Sequence, residues 1–510
     1  MQDTPINWLE NNVKYFGEGR AEFVNPKIIL EGPVKIEFKE SGESNIQMDF
    51  RKVSDNVETN TLELLVFVEQ IESSQCTKLE VFTSNGTFSS IGDNIMHCIP
   101  NDLNSIKFFC PASQFEAYDK EAKYWVLPLY NFLTHFYKYP PKAANPLSIN
   151  NKNIGITFKF NCSTCFIEPL EDYDIIKEEL INFKNPKRIT SMMIGELRDL
   201  PRDSESLDQQ VPINFLELLG LATGTEVGSP WIEFRTADGE LVKRIHQALN
   251  YPIYSEGHIA IDEFCGTGMS ILLNNGQSLL HLGNSYMIAT LKHLIRAGSR
   301  NLNTDEKLTH LFQALDGLCE AFNLNTQVLN RRINTSQQKQ IKKILKKASQ
   351  DILAISNAAT DDGQSNAIRE IANRTRSNPT GTARKFGLSL SDLLKLFDLA
   401  DVNIIEKYYQ ASKNEKSWVD FISHCRGVEI HKGFLAFNGD EFDPKEISVI
   451  TAHLHDILFR LVFKMLYYDG IYQSPIKPLP NPKESPIQPH PHPKVDWVNP
   501  STSPKMLGYQ

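Results

Sequence analysis

Apolar and polar residues alternate with a period of two through much of the first half of the chain. Val34, Ile36 and Phe38 take turns with charged residues. Ile46, Met48 and Phe50 repeat the pattern after the polar segment Ser41-Gly42-Glu43-Ser44, and Ile156, Phe158, Phe160 and Cys162 repeat it again. This alternation predicts half-buried strands. Asn85-Gly86 between short apolar runs predicts a hairpin turn. Pro140-Pro141 through Pro146 reads as a loop, Tyr173–Phe183 as a short helix, and the charged stretch Arg198–Gln210 as a surface loop. The pattern leaves open whether this half is one β domain or two.

From about residue 286 the period changes to that of a helix. Leu308, Leu311, Phe312, Leu315, Leu318 and Phe322 fall on one stripe. Ile341, Ile344, Leu345, Ala348, Ile352 and Ile355 form a second, and Trp418, Phe421, Ile422 and Cys425 a third. Each predicts an amphipathic helix with its apolar side buried. The last helix is the best marked. Asp443-Pro444-Lys445-Glu446 supplies an N-cap, a proline at the first helical position and a glutamate at the third. Ile447, Ile450, Leu454, Ile457, Leu461 and Met465 then share a side, and Gly470 is the expected stop. Ala358–Ala383 reads as a polar loop around a short helix at Asn366–Asn373. After Gly470 the chain becomes proline-rich and poor in apolar residues, which predicts an extended or disordered tail. The expected class is α+β, in three parts: a β-rich region over 1–285, a helical bundle over 286–472 and a tail over 473–510.

Composition narrows the function classes. At 41% hydrophobic and 23% charged, the balance is that of a globular protein. A formal charge of −9 argues against a surface that wraps nucleic acid all round, while leaving room for a local basic face. Met1–Glu10 lacks the basic start and apolar run of a secretory signal. No stretch reaches the ~18 uninterrupted apolar residues of a membrane span; Ile457–Tyr468 is broken by Arg460 and Lys464. A cytoplasmic protein with no membrane partner is expected. The eight cysteines are scattered, which fits reduced thiols. Cys162 and Cys165 make one CxxC pair without a second pair or an HxxxH to complete four zinc ligands, so they read as strand-end cysteines. His490-Pro491-His492 reads as part of a solvated tail. No metal and no cofactor are expected. There is no GxxxxGK[ST], HExxH or GxSxG, and Cys265-Gly266-Thr267-Gly268 reads as a turn.

One constellation carries chemistry. In His424-Cys425-Arg426-Gly427-Val428-Glu429-Ile430-His431-Lys432-Gly433-Phe434, an arginine is followed five positions later by a histidine, and no other pair in the chain has this spacing. The pair ends one amphipathic helix and precedes the strongly capped last one. Together with Asp443–Gly470, its ending Leu466-Tyr467-Tyr468-Asp469-Gly470-Ile471-Tyr472, and Leu311-Phe312-Gln313-Ala314-Leu315-Asp316-Gly317-Leu318, this segment resembles the HEPN superfamily. The resemblance spans roughly 286–472 and is closest to ApeA-like anti-phage proteins, which join a β-rich N-terminal region to a C-terminal HEPN domain.

The resemblance implies a dimeric, metal-independent endoribonuclease of antiviral defence with Arg426 and His431 at its active site. It also implies RNA as substrate, a homodimer through the helical domain, and an N-terminal sensor or regulator that answers a phage-derived trigger. The residue types suit the reaction. Imidazole titrates near neutrality and can move a proton; a guanidinium stays cationic and can grip phosphate oxygens. Five positions is about 140° of helical rotation, so convergence needs a loosened helix end at Gly427 or Gly433, or two protomers pooling their motifs. Family members often carry a polar residue where this chain has Gly427. Asp316 and Glu429 read either as electrostatic supports of the site or, the favoured reading, as ordinary solvated or capping residues. Lys339, Lys342, Lys343, Lys346 and Lys347 lie opposite the second apolar stripe, after Arg331 and Arg332, and read equally as a solvated helix surface or as a docking face for an RNA backbone. The alternative to the enzyme is a non-catalytic, dimerising HEPN-like scaffold or nucleic-acid-binding protein.

Overall fold

The computed structural model describes residues 14–23, 28–38, 44–49, 52–53, 76–90, 97–102, 105–110, 112–138, 154–160, 162–184, 188–197, 211–247, 253–261, 268–280, 285–322, 335–358, 364–365, 368–369, 371–372, 386–399, 419, 422–427, 444–475 and 497–498. The protein is mixed α+β and divides into two compact units. The first comprises Met1–Leu282, Gly298–Asn301 and Leu466–Gln473; the second comprises Gly283–Ala297, Leu302–Met465 and Ser474–Gln510.

In the first unit, alternating residues build a continuous antiparallel sheet. Its first part contains β1 (Lys14–Phe23), β2 (Ile28–Phe38), β3 (Ser44–Asp49), β4 (Lys52–Val53), β5 (Cys76–Thr83), β6 (Gly86–Ser90), β7 (His97–Asp102), β8 (Ser105–Cys110) and β9 (Ala112–Ala117). They run side by side in the order β9-β6-β5-β1-β2-β3-β8-β7, with β4 on β2. One residue separates β8 from β9, and Ser44 of β3 meets Ser113 of β9 through a buried hydroxyl pair at 2.8 Å. Tyr15 of β1 stacks on Phe115 of β9 at 4.9 Å. The strands thus wrap around one core that includes Leu30, Val34, Ile36, Ile46, Met48, Ile106 and Phe108.

The second part of the sheet adds β10 (Tyr124–Tyr130), β11 (Tyr137–Lys138), β12 (Ile154–Phe160), β13 (Ser163–Pro169), β14 (Ile189–Glu196), β15 (Trp231–Arg235) and β16 (Leu241–Gln247). They run β11-β12-β13-β14-β10-β15-β16, and β16 then pairs with β9. A second core gathers Val126, Tyr130, Ile189, Met192, Ile194 and Trp231 with Ile176 and Leu180 of helix α1 (Tyr173–Ile181). One sheet therefore carries two separate cores. Helices α2 (Phe215–Thr223) and α3 (Gly268–Leu280) also belong to this unit.

Three local expectations shift. The β5–β6 loop is Ser84-Asn85, with Gly86 already in β6. Glycine is required there because an added Cβ would lie 2.3 Å from the Glu116 carbonyl oxygen. Alternation in β12 stops at Phe160. Cys162 sits exposed in the hairpin turn at φ 69°, while Cys165 is buried in β13, where burial pushes its thiol up to about 12. The final helix stops at Met465, and Tyr467 rather than Gly470 takes the left-handed conformation, φ 52°.

The second unit holds α4 (Ser285–Ala297), α5 (Thr304–Ala321), α6 (Thr335–Ala358), α7 (Phe386–Leu396) and α8 (Pro444–Met465). Asn303 and Glu306 form a reciprocal capping box at the start of α5. Leu308, Leu311, Phe312, Leu315 and Leu318 are buried, as are Ile447, Ile450, Leu454, Ile457, Leu461 and Met465 of α8. Arg460 is tolerated inside α8 because its Nε donates to Asp456 Oδ2 at 2.7 Å, and Ser474 Oγ donates to Asp456 Oδ1 at 2.7 Å. In α6 the expected stripe is only half right. Ile344 and Ile355 are 65% and 62% exposed, while Ser349 and Ser356 are buried. Ser349 Oγ donates to the Ala372 carbonyl, and Ser356 bonds Ser365, so the polar segment that follows docks on the line of small residues.

In the tail, Trp497–Val498 form a two-residue strand. Among the described residues no helix is long and apolar enough to cross a membrane.

Candidate active site

Helix α5 is the platform of the site. Its apolar residues face inward, which leaves Asp316 on the outer edge. Gly317 beside it allows α4 to come close: an added Cβ would lie 2.6 Å from Thr290 Oγ1. Residues 422–427 are helical, and Ile422 and Cys425 are buried completely. Burying those two positions brings the next residue, Arg426, to the rim of the unit. There its Nη2 donates to Asp316 Oδ2 at 2.6 Å, with the two side chains 25% and 37% exposed. Such a pair is partly wet. It orients a guanidinium well but contributes only about 0.2–1 kcal/mol to stability.

Arg426 is thus a largely covered cation, one quarter exposed, with a fixed direction. Among the described residues nothing lies within 4 Å of where a Cβ on Gly427 would sit. His431, Glu429, Arg331 and Arg332 lie outside the described residues, as do Trp418, Phe421, Asp443, Cys265-Gly266-Thr267 and His490-Pro491-His492. Lys339, Lys343, Lys346 and Lys347 are exposed on α6, and the side chain of Lys342 lies outside the described residues.

The sequence leaves Asp316 between an electrostatic support of the site and an ordinary solvated or capping residue. The structure brings it to Arg426 across 110 positions of chain. The only hint was its place in the segment that resembles a first HEPN helix.

Two further clusters carried no sequence motif. His293 of α4 and His310 of α5 approach with Nδ1 atoms 3.1 Å apart, so one ring donates and the other accepts. Burial, then His310 and Arg296, push His293 below its ordinary pKa. In the sheet, Glu233 of β15 is enclosed by Arg235 and Arg244. Burial alone would raise its pKa; the two guanidiniums overcome it and hold the carboxyl below its ordinary value. Arg244 also lies over Trp231, 5.2 Å from the ring centroid. Among the described residues no three His, Cys, Asp or Glu side chains are grouped to hold a metal ion.

Compared with known proteins, the chain matches no family model, no curated protein and no solved structure.

Proposed function

We propose that this protein is a metal-independent endoribonuclease of the HEPN type that acts in antiviral defence. The observation that carries the reading is Arg426, held partly exposed by Asp316 in the helical segment 422–427, in the chain's one Arg-x-x-x-x-His sequence. A guanidinium so placed can bind two non-bridging oxygens of a phosphodiester. His431 takes the proton of the ribose 2′-OH as the 2′-oxygen bonds to phosphorus. The bond from phosphorus to the 5′-oxygen breaks, and a protonated imidazole supplies the leaving oxygen's proton. The products are a 2′,3′-cyclic phosphate and a 5′-OH. A homodimer through the helical domain would pool two such motifs and supply both acid and base. The N-terminal unit would serve as sensor of a phage-derived trigger.

The second reading is a non-catalytic, dimerising scaffold. It is favoured by the same ion pair, because Asp316 already neutralises Arg426. Cleavage of total cellular RNA by wild type, Arg426→Ala and His431→Ala separates the two. Loss of about 10²–10⁴-fold is expected for each variant, with the fold intact by circular dichroism and no response to a chelator. If folded His431→Ala cuts as fast as wild type, the catalytic assignment fails. A strictly monomeric protein in light scattering would sink the pooled site.

A further inference from the structure

The outer face of the first part of the sheet bears side chains that a merely solvated surface does not call for. Core residues of β2, β3 and β8 point inward, so the alternate positions point out. Strand register aligns those positions in rows. Phe16 of β1 lies opposite Lys35 of β2, Lys35 opposite Gln47 of β3, and Gln47 opposite Lys107 of β8. At about 4.8 Å per strand the row spans roughly 14 Å. In the next row, about 7 Å along the strands, Glu37 faces Asn45. On the other side, Phe82 of β5 faces Glu18 of β1 and so lies diagonally from Phe16.

Three features of this face point to one kind of ligand. Phe16 and Phe82 are 68% and 51% exposed, although β1 lies in the interior of the sheet with a partner on each side. Lys35 and Lys107 make no ion pair among the described residues, and with Glu37, Asn45 and Gln47 they line a cleft of about 300 Å³. Exposed aromatic rings offer stacking planes to bases, and unpaired lysines offer charge to phosphates. The carboxylates of Glu37 on one side and of Glu18 and Asp49 on the other bound the lysine row, which limits the track to a short strand rather than a duplex wrapped across the face.

We infer that the outer face of β1, β2, β3, β5 and β8 binds a short stretch of single-stranded nucleic acid, with bases on Phe16 and Phe82 and backbone phosphate at Lys35 and Lys107. This goes beyond the nuclease reading and does not depend on it. A single strand bound there would also be a trigger of a chemistry that the N-terminal unit can recognise.

The test uses the full chain carrying Lys339→Gln, Lys342→Gln, Lys343→Gln, Lys346→Gln and Lys347→Gln, so that the α6 face is silent. Binding of fluorescein-labelled 12-nucleotide oligouridine, oligothymidine and a 12-base-pair duplex is followed by anisotropy. Single strands are expected to bind more tightly than the duplex. Phe16→Ala and Phe82→Ala are each expected to weaken binding at least about fivefold, and Phe16→Trp to retain it. Lys35→Gln with Lys107→Gln should reduce the salt slope by about 1.4. Both phenylalanines are exposed, so these variants are expected to fold as wild type does, with circular dichroism as the check. Preference for oligouridine assigns the site to RNA, and equal binding assigns it to either sugar. Affinity indifferent to both phenylalanine variants overturns the inference, as does a duplex bound equally well. No oligonucleotide binding, with a change of oligomeric mass in Phe16→Ala, overturns it in favour of a protein interface.

Discussion

Lowering the pH from 8 to 4 is expected to cost the helical unit about 3 kcal/mol of stability through His453 alone. This imidazole lies on α8 and is 4% exposed. Burial drives its pKa down, Asp456 one turn away pulls it back only in part, and it comes to rest at about 4, against an ordinary 6.5. A tenfold difference in proton affinity between the two states corresponds to about 1.4 kcal/mol, which gives the loss of about 3 kcal/mol at pH 4. The sign follows from which state binds the proton first. As pH falls below 6.5 the unfolded chain protonates while the folded one does not. Stability from this group is therefore full above 6.5, drains away towards about 4, and falls no further below that. His293, also depressed, acts in the same direction, and a second proton on the His293–His310 pair would break its 3.1 Å bond. Urea unfolding followed by circular dichroism at pH 7.5, 6, 5 and 4.5 measures the slope for wild type and His453→Gln. The variant is expected to keep a shallow residual slope from His293, whatever its absolute stability. If its slope equals that of wild type, the burial of His453 does not govern acid sensitivity and the reasoning is wrong.

Three other outcomes follow from the site. Gly427→Asn should leave stability within about 1 kcal/mol of wild type, because no described residue lies within 4 Å of where its Cβ would go; a larger loss in thermal melts would show that the space is occupied. Asp316→Ala should cost only about 0.2–1 kcal/mol in melts, since the pair is partly exposed. RNA cleavage should fall by more than that, because Arg426 loses the group that aims it. Activity equal to wild type would show that Asp316 does not position the arginine. Replacing Lys343, Lys346 and Lys347 with glutamine should weaken RNA binding and lower its salt slope by about 0.7 per lysine; unchanged binding would make the face an ordinary solvated surface.

Local patterns were legible wherever neighbouring residues alone set them. The period-two runs at Val34–Ile36 and Ile156–Phe160 are strands, and the stripes of α5 and α8 are buried helical faces. A period of two or 3.6 selects backbone geometry from apolar positions only a few residues apart. The Arg426–His431 spacing was equally plain, because a motif is a local property of the chain. The packing partners were not legible. Asp316 reached Arg426, Ser44 reached Ser113, and Phe16 lined up with Lys35, Gln47 and Lys107 through strand register and helix packing. No short window contains those pairs. The same holds for α6, whose sequence promised one buried stripe. Which of its residues are covered depended on a later segment docking on Ser349 and Ser356, and that left Ile344 and Ile355 in solvent. Sequence determines what each element can bury. Only tertiary structure decides what it meets, because pairing between distant segments rests on many weak contacts made together, none of them specified where either segment is written.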